Sequence, residues 1–310
     1  MKLGYFTDPE CLLHNMGEGH PEQSARLVAI DSELDRLGLK SDLYEGRVRP
    51  VLIDEIKRVH SGKLIDKLMR LDQKTKNNQT VPIDPDTFLC AQSLQSIFLS
   101  AGAGCSAVDL IMKNQLTRAF CATRPPGHHA ERDHSMGFCF FNNIAIATQH
   151  AIKTYQINRV AIVDFDVHHG NGTVDIFKDY SKVLICSSFQ HPFYPNRHTE
   201  QDASNLAFVP LDAGTDSNVF RRQVEKIIFP SIDKFKPEII MISAGFDAHK
   251  NDPLGNINLN EDDFRWITKN LIQLARSHCN SRIISMLEGG YDLSSLARSV
   301  GVHLEELTNG

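Results

Sequence analysis

The sequence encodes an α/β protein built on a parallel sheet. Apolar, strand-like runs alternate with amphipathic helical stretches along the chain, the pattern of repeated βα units. Five of those runs are apolar where they start and carry His, Asp, Ser, Gly or Tyr where they end. In open parallel sheets ligands bind beyond the carboxyl ends of the strands, so five such ends would line one pocket floor. No repeat, low-complexity tract or long linker breaks the pattern, and one domain over residues 1–310 is the simplest organisation.

From the N-terminus, 22–37 is helical: Leu27, Ile30, Leu34 and Leu37 form one stripe, with Pro21 suited to a first turn. The polar, Pro-containing segment 72–87 reads as a surface loop, one placed to rim a pocket. A second helix occupies 93–113, although Gly102 and Gly104 weaken it. "RAFCATRPPGHH" (118–129) is a strand running into Pro, Gly and two histidines. "RVAIVDFDVHHG" (159–170) ends in carboxylates and imidazoles, and "KVLICSSFQH" (182–191) in hydroxyls. Phe220, Val224, Ile227 and Ile228 mark a helix over 217–229 after Asp216. "EIIMISAGFDAH" (238–249) is a strand ending at Asp247. Phe264, Ile267, Leu271 and Leu274 mark a helix over 261–275. "RIISMLEGGYD" (282–292) closes the series in Gly289, Gly290 and Tyr291.

Composition excludes several partners. The chain is 41% hydrophobic and 23% charged, with a net charge of -5. That balance gives no electrostatic reason to expect nucleic acid or an anionic membrane. No apolar run near 18 residues suggests a transmembrane helix, and "MKLGYFTDPE" has no signal-like apolar region. Cys11, Cys90, Cys105, Cys121, Cys139, Cys186 and Cys279 are scattered and never form CxxC, which points to reduced core thiols and a cytoplasmic setting.

The chemistry concentrates in "VDFDVHHGNGT" (163–173), which puts Asp164, Asp166, His168 and His169 into six residues. Buried carboxylates and imidazoles are costly without a partner. On an extended strand Asp164, Asp166 and His168 share a face. Asp166 and His168, joined by Asp247 from another strand end, offer two carboxylates and one imidazole to a divalent ion. Three protein ligands with an open position describe a catalytic zinc site. For a lone DxH, helix capping and satisfied loop histidines explain the residues as well; the neighbouring "GHH" and "GFDAH" shift the weight to the metal.

Five motifs in order, "RPPGHHA", "GFCFFNNIAIA", "VDFDVHHGNGT", "SAGFDAH…DPLG" and "LEGGYDL", resemble the zinc-dependent histone deacetylase superfamily, in its class II-like form. That superfamily takes in histone deacetylases, acetylpolyamine amidohydrolases and acetoin-utilisation proteins. The likeness runs from "GHPEQSARL" near residue 19 to residue 293. It implies an arginase-like fold, with a parallel sheet of about eight strands and a narrow tube over the metal. By position, Asp166, His168 and Asp247 match the zinc ligands, one zinc per chain. His128 and His129 match the tandem proton-handling histidines, with Asp164 behind His128 and Asn171 where the partner of His129 lies. Asn cannot ionise, so it raises the pKa of His129 less than Asp would. Tyr291 matches the tyrosine that donates to the oxyanion, swung into place by Gly289 and Gly290.

Phe138 and Tyr194, with Gly137, match the tube walls. Arg26 matches an arginine lining an internal cavity thought to release acetate. Asp164, Asp166, His168, Ser187 and Ser188 match a monovalent cation site, commonly potassium. The chain departs from the family at Gln23 and Ser24, at Ser188, and at Asn196, Arg197 and His198, which follow "FYP" where Gly is usual. His60, His150, His278 and His303 are left as structural.

The implied reaction is hydrolysis of an acyl amide to a carboxylate and a free amine. The substrate would be an acetylated protein or peptide, or an acetylpolyamine-like small molecule, with Asp84 and Asp86 placed to meet a cationic one. A dinuclear arginase-like hydrolase is the rival enzyme, disfavoured because Asn171 stands where a second carboxylate would be. A non-catalytic acyl-lysine-binding module is the rival from another class.

Overall fold

The computed structural model describes residues 2–75, 79–199 and 203–310. Its strands and helices are β1 (Leu3–Phe6), α1 (Ala25–Arg36), β2 (Leu43–Gly46), α2 (Ile53–Ile56), α3 (Gly62–Asp72), β3 (Val81–Pro82), β4 (Phe88–Leu89) and α4 (Ser93–Met112). β5 (Arg118–Cys121), α5 (Asn143–Tyr155), β6 (Val160–Asp164), α6 (Asn171–Phe177), β7 (Val183–Gln190) and β8 (Leu206–Leu211) follow. The chain ends with α7 (Ser217–Phe235), β9 (Ile239–Ala244), α8 (Glu261–His278), β10 (Ile283–Leu287) and α9 (Leu293–Asn309). Eight strands form one parallel sheet in the order β2-β1-β5-β10-β9-β6-β7-β8, and β3 and β4 pair separately as an antiparallel ribbon. This is the arginase/deacetylase architecture the resemblance implies.

Every residue of β5, β6, β9 and β10 is buried. Helices cover both faces of a central parallel sheet, so its strands read as continuous apolar runs. Those four are among the five runs legible in the sequence. β1, β2 and β8 were not legible: they are short or mix exposed with buried positions. Register aligns Asp164 of β6 with Ser187 of β7 and Ser243 of β9, which brings the polar strand ends to one edge.

Several expectations are corrected. The helix expected over 22–37 begins at Ala25, and Pro21 lies outside it, because Glu22 is drawn into a buried ion pair with Arg124. The helix expected to stop at 229 runs to Phe235 through Pro230, held by buried Ile228 and Ile232 on either side. The 72–87 segment includes β3, and its residues 76–78 lie outside the described ones. β6 ends at Asp164, so Asp164, Asp166 and His168 do not continue one strand.

The expectation that no apolar run approaches 18 residues also fails. α4 is long and apolar enough to cross a membrane, with a mean hydropathy of 1.4, yet 72% of that window is buried inside the protein. Its glycines allow close packing: a Cβ on Gly104 would lie 2.7 Å from Ala147 Cβ on α5. All seven cysteines are buried and unpaired.

Candidate active site

The chain leaves β6 at Asp164 and turns, and its carboxylates separate by task. Asp164 Oδ2 lies 2.9 Å from His128 Nδ1. Asp166 and Asp247 instead converge on His168, whose Nδ1 is 3.1 Å from a carboxylate oxygen of each. Backbone donors lock both acids: Gly289 N–H donates to Asp166 Oδ2 at 2.9 Å and Val167 N–H to Asp247 Oδ1 at 2.8 Å. Gly289 must be glycine here, because a Cβ would collide with both carboxylates.

Among the described residues three groups bring possible metal donors within 4.8 Å of one another. Two of them, Glu55–Cys105–His150 and Glu131–Asp175–His198, already pair a carboxylate with a guanidinium, from Arg49 and Arg197. In the third, Asp166–His168–Asp247, the carboxylates face imidazoles and backbone N–H groups. This buried donor set suits a divalent ion. Burial and the charge of Asp166 push Asp247 up to about 7. Burial lowers His168, but its bonds to Asp166 and Asp247 overcome that and raise it to about 10. A dication would have to displace the protons these groups hold, so its affinity would weaken as pH is lowered.

The tandem histidines come from the loop after β5 and lie with ring centroids 4.0 Å apart and their planes tilted by 42°. Their partners differ. Burial works against charge on both, but Asp164 and Asp166 lift His128 well above the ordinary histidine range. His129 sits well below it, held down by burial and by His128 and His168. Its Nδ1 meets the neutral Asn171 Oδ1 at 2.7 Å.

A pocket of about 430 Å³ opens onto these groups, lined among others by His129, Phe138, His168, Phe193, Tyr194 and Tyr291. Phe138 and Tyr194 both form its walls, and Gly137 and Asp86 also border it. Phe138 is held in the left-handed region at φ 67° while its N–H donates to Thr87 Oγ1 at 2.9 Å. Burial keeps the Tyr291 phenol protonated far above neutral pH. Its ring packs edge-on to Phe138 at 5.8 Å. Arg26 is wholly buried behind this wall: its Nε donates to Gly290 O at 2.7 Å and its guanidinium lies 5.0 Å from the Tyr291 ring. Ser187 and Ser188 are buried within β7, which continues past them to Gln190, and the Ser187 hydroxyl meets His169 Nδ1 at 3.3 Å. Asp84 Oδ1 accepts from the Asp86 N–H at the rim.

Sequence reasoning passed over the residues that hold these groups in place. Glu288 Oε2 accepts the N–H groups of Gly127 (2.7 Å) and His128 (3.1 Å), pinning the histidine loop to β10. Asp252 Oδ2 accepts the N–H of Tyr291 at 2.6 Å, fixing the Gly-Gly-Tyr turn. Glu22, paired with Arg124 and Arg26, braces the same region from below. Each is a charged residue inside one of the motifs, but only Glu288 lies within a continuous buried run, where a charge signals a partner.

A family model of the histone deacetylase domain matches residues 20–307. The chain is 34% identical over 314 residues to "Histone deacetylase 14, chloroplastic" of Arabidopsis thaliana, covering 95% of this chain and 74% of that one. It is 31% identical over 317 residues to the "Histone deacetylase-like amidohydrolase" of Pseudomonas aeruginosa, covering 94% and 82%. A crystal structure of the HDA15 HD domain matches 99% of this chain and 88% of its own, with a TM-score of 0.91 and 29% identity.

Proposed function

The chain belongs to the histone deacetylase family and is a deacetylase-type hydrolase of amides; we propose that it is a zinc-dependent deacylase of acetyl-lysine in proteins or of a related acylated amine. The observation that carries this is that one pocket is lined by His168 of the Asp166–His168–Asp247 donor set, by His129 of the His128–His129 pair and by Tyr291.

On this reading Asp166, His168 and Asp247 would hold one zinc, which when bound would supply Lewis-acid polarisation of the amide carbonyl and a water of lowered pKa. A potassium ion would take oxygens of Asp164, Asp166, His168, Ser187 and Ser188. His129, neutral and turned to the pocket, accepts the proton of the attacking water. His128, charged against Asp164, stabilises the negative charge that develops and donates toward the leaving amine. Environments that drive two adjacent groups apart in pKa assign base and acid in this way. Tyr291 donates its hydroxyl to the oxyanion. Phe138 and Tyr194 flank the acyl chain and exclude water, and Arg26 holds the Tyr291 turn beside the acetate route. Asp86 at the mouth favours a cationic leaving amine. The catalytic unit spans residues 1–310.

The test is metal analysis of the purified protein with turnover on acyl-lysine peptides and acetylpolyamines, beside Tyr291→Phe and His129→Ala. One zinc per chain, with turnover that both variants suppress, is the expected result. Two metals per chain would favour a dinuclear hydrolase, against which Asn171 already stands engaged with His129. One metal without turnover on any substrate would favour a binding module.

A further inference from the structure

We infer that Arg197, on the loop that carries one wall of the pocket, is a positioning residue that sets the tautomer of His129 through Glu131 and Asn171. Only its effect on turnover rests on the deacylase reading. Arg197 lies three residues beyond Tyr194, in the stretch where this chain departs from its family's usual pattern. Its Nε and Nη2 donate to the two oxygens of Glu131 at 2.7 and 2.6 Å, the bidentate fork that fixes a carboxylate in place. Glu131 is 5% exposed. Its Oε1 also accepts from Asn171 Nδ2 at 2.8 Å, and Asn171 Oδ1 lies 2.7 Å from His129 Nδ1.

Each link dictates the next. A carboxylate only accepts, so Asn171 must turn its NH₂ to Glu131 and its carbonyl to His129. The carbonyl of His129 and the sulfur of Met136 also accept from that NH₂, in the same sense. A carbonyl oxygen only accepts, so His129 must carry its proton on Nδ1. The lone pair of the neutral ring is then on Nε2, the nitrogen left free of this chain of bonds. A general base needs that tautomer.

Glu131 keeps its charge because Arg197 faces it. The other titratable groups at this point are His198, whose Nε2 is 3.4 Å from Glu131 and 3.8 Å from Asp175, and Asp175 itself. Without the guanidinium, a buried carboxylate left with a weakly placed imidazole takes up a proton. It can then donate, the shortest bond holding the Asn171 amide is lost, and only the longer contacts to the His129 carbonyl (3.3 Å) and the Met136 sulfur (3.4 Å) oppose a flipped amide that favours the opposite tautomer of His129. The wall of the tube and the proton acceptor are in this way tied to one carboxylate.

The test is a double-mutant cycle on the zinc-loaded enzyme, with ring-¹⁵N histidine spectra as a readout independent of turnover. Arg197→Ala should lower kcat about tenfold with KM nearly unchanged, the scale of losing an orienting partner. Arg197→Lys should restore most of it. In an Asn171→Ala background Arg197→Ala should cost nothing further, because the route is already cut. The His129 signal, assigned by its loss in His129→Ala, should show Nδ1–H in the parent and leave that state in Arg197→Ala. Equal losses in both backgrounds, a change in KM alone, or an unaltered His129 signal would overturn the proposal. If the parent turns over no substrate, the deacylase reading fails, while the nitrogen shifts still decide the role of Arg197.

Discussion

Asp164→Asn removes one charge from the proposed acid–base pair while keeping the side chain's shape. The carboxylate is 2.9 Å from His128 Nδ1 and buried with it. With charges centred about 4 Å apart and an effective dielectric constant of about 20, the attraction is about 4 kcal/mol, in the sense that holds the proton on His128. His128 is raised in the parent, so its charged form is present at low pH and is lost as pH rises through the raised value. In the variant that loss comes at lower pH. The alkaline limb of kcat should move to lower pH. At neutral pH kcat should fall on the order of 100-fold, the scale of a general acid's contribution.

Asp164 Oδ1 also accepts the Asp166 N–H at 3.1 Å, and an amide cannot serve both partners. Metal content must therefore be measured beside the pH profile, so that a displaced metal ligand is distinguished from a neutralised histidine. An unchanged alkaline limb at full metal content, with kcat within a factor of about three of the parent, would refute the assignment of His128 as the charged partner.

Three other perturbations probe the remaining parts. Tyr291→Phe deletes the oxyanion donor and should cost about 3–4 kcal/mol in kcat with little effect on KM, read by steady-state kinetics. Gly289→Ala places a Cβ against the carboxylates of Asp166 and Asp247, so zinc per chain should fall sharply in metal analysis. Glu22→Gln breaks a wholly buried pair with Arg124 and should destabilise the fold by about 3–5 kcal/mol in urea unfolding. Burial raises Glu22, but Arg124 outweighs it and holds its pKa at about 2 against 4.5 unfolded. The stability it adds is therefore complete above pH 4.5 and is lost as pH falls toward 2, and Glu22→Gln should flatten that acid limb.

The buried centre of this fold was legible because β5, β6, β9 and β10 are apolar on both faces and change character abruptly at their ends. β1, β2 and β8 escaped because four- to six-residue strands near the sheet edges carry residues such as Tyr44, Glu45 and Pro210, which break a simple apolar run. Helix ends were missed where a tertiary contact overrode the local signal, as at Pro21 and Pro230. The groups of the site were readable by chemical type and motif. Their supports were not, because Glu288, Asp252 and Glu131 act by accepting bonds from distant segments, and nothing in local spacing announces such a partner.

The buried acids around the site differ in what opposes their charge, and that difference supports the proposed place of the metal. Glu22 faces two guanidinium groups and Glu131 one. Glu288 and Asp252 are met by backbone N–H groups, and Asp164 by an imidazole. Asp166 and Asp247 have backbone donors as well, yet they point a second pair of oxygens at the single ring of His168. Asp166 also lies 3.8 Å from His128 Nε2, so two imidazoles and no guanidinium face this pair of buried carboxylates, an arrangement costly to bury unless the charges are matched. The proposed dication would take its place here, where an arginine would have closed the pocket floor. The same argument explains why Asn171 is neutral: a further carboxylate beside Glu131 would add repulsion at 2.8 Å and give His129 a charge partner that a neutral base at pH 7 does not need.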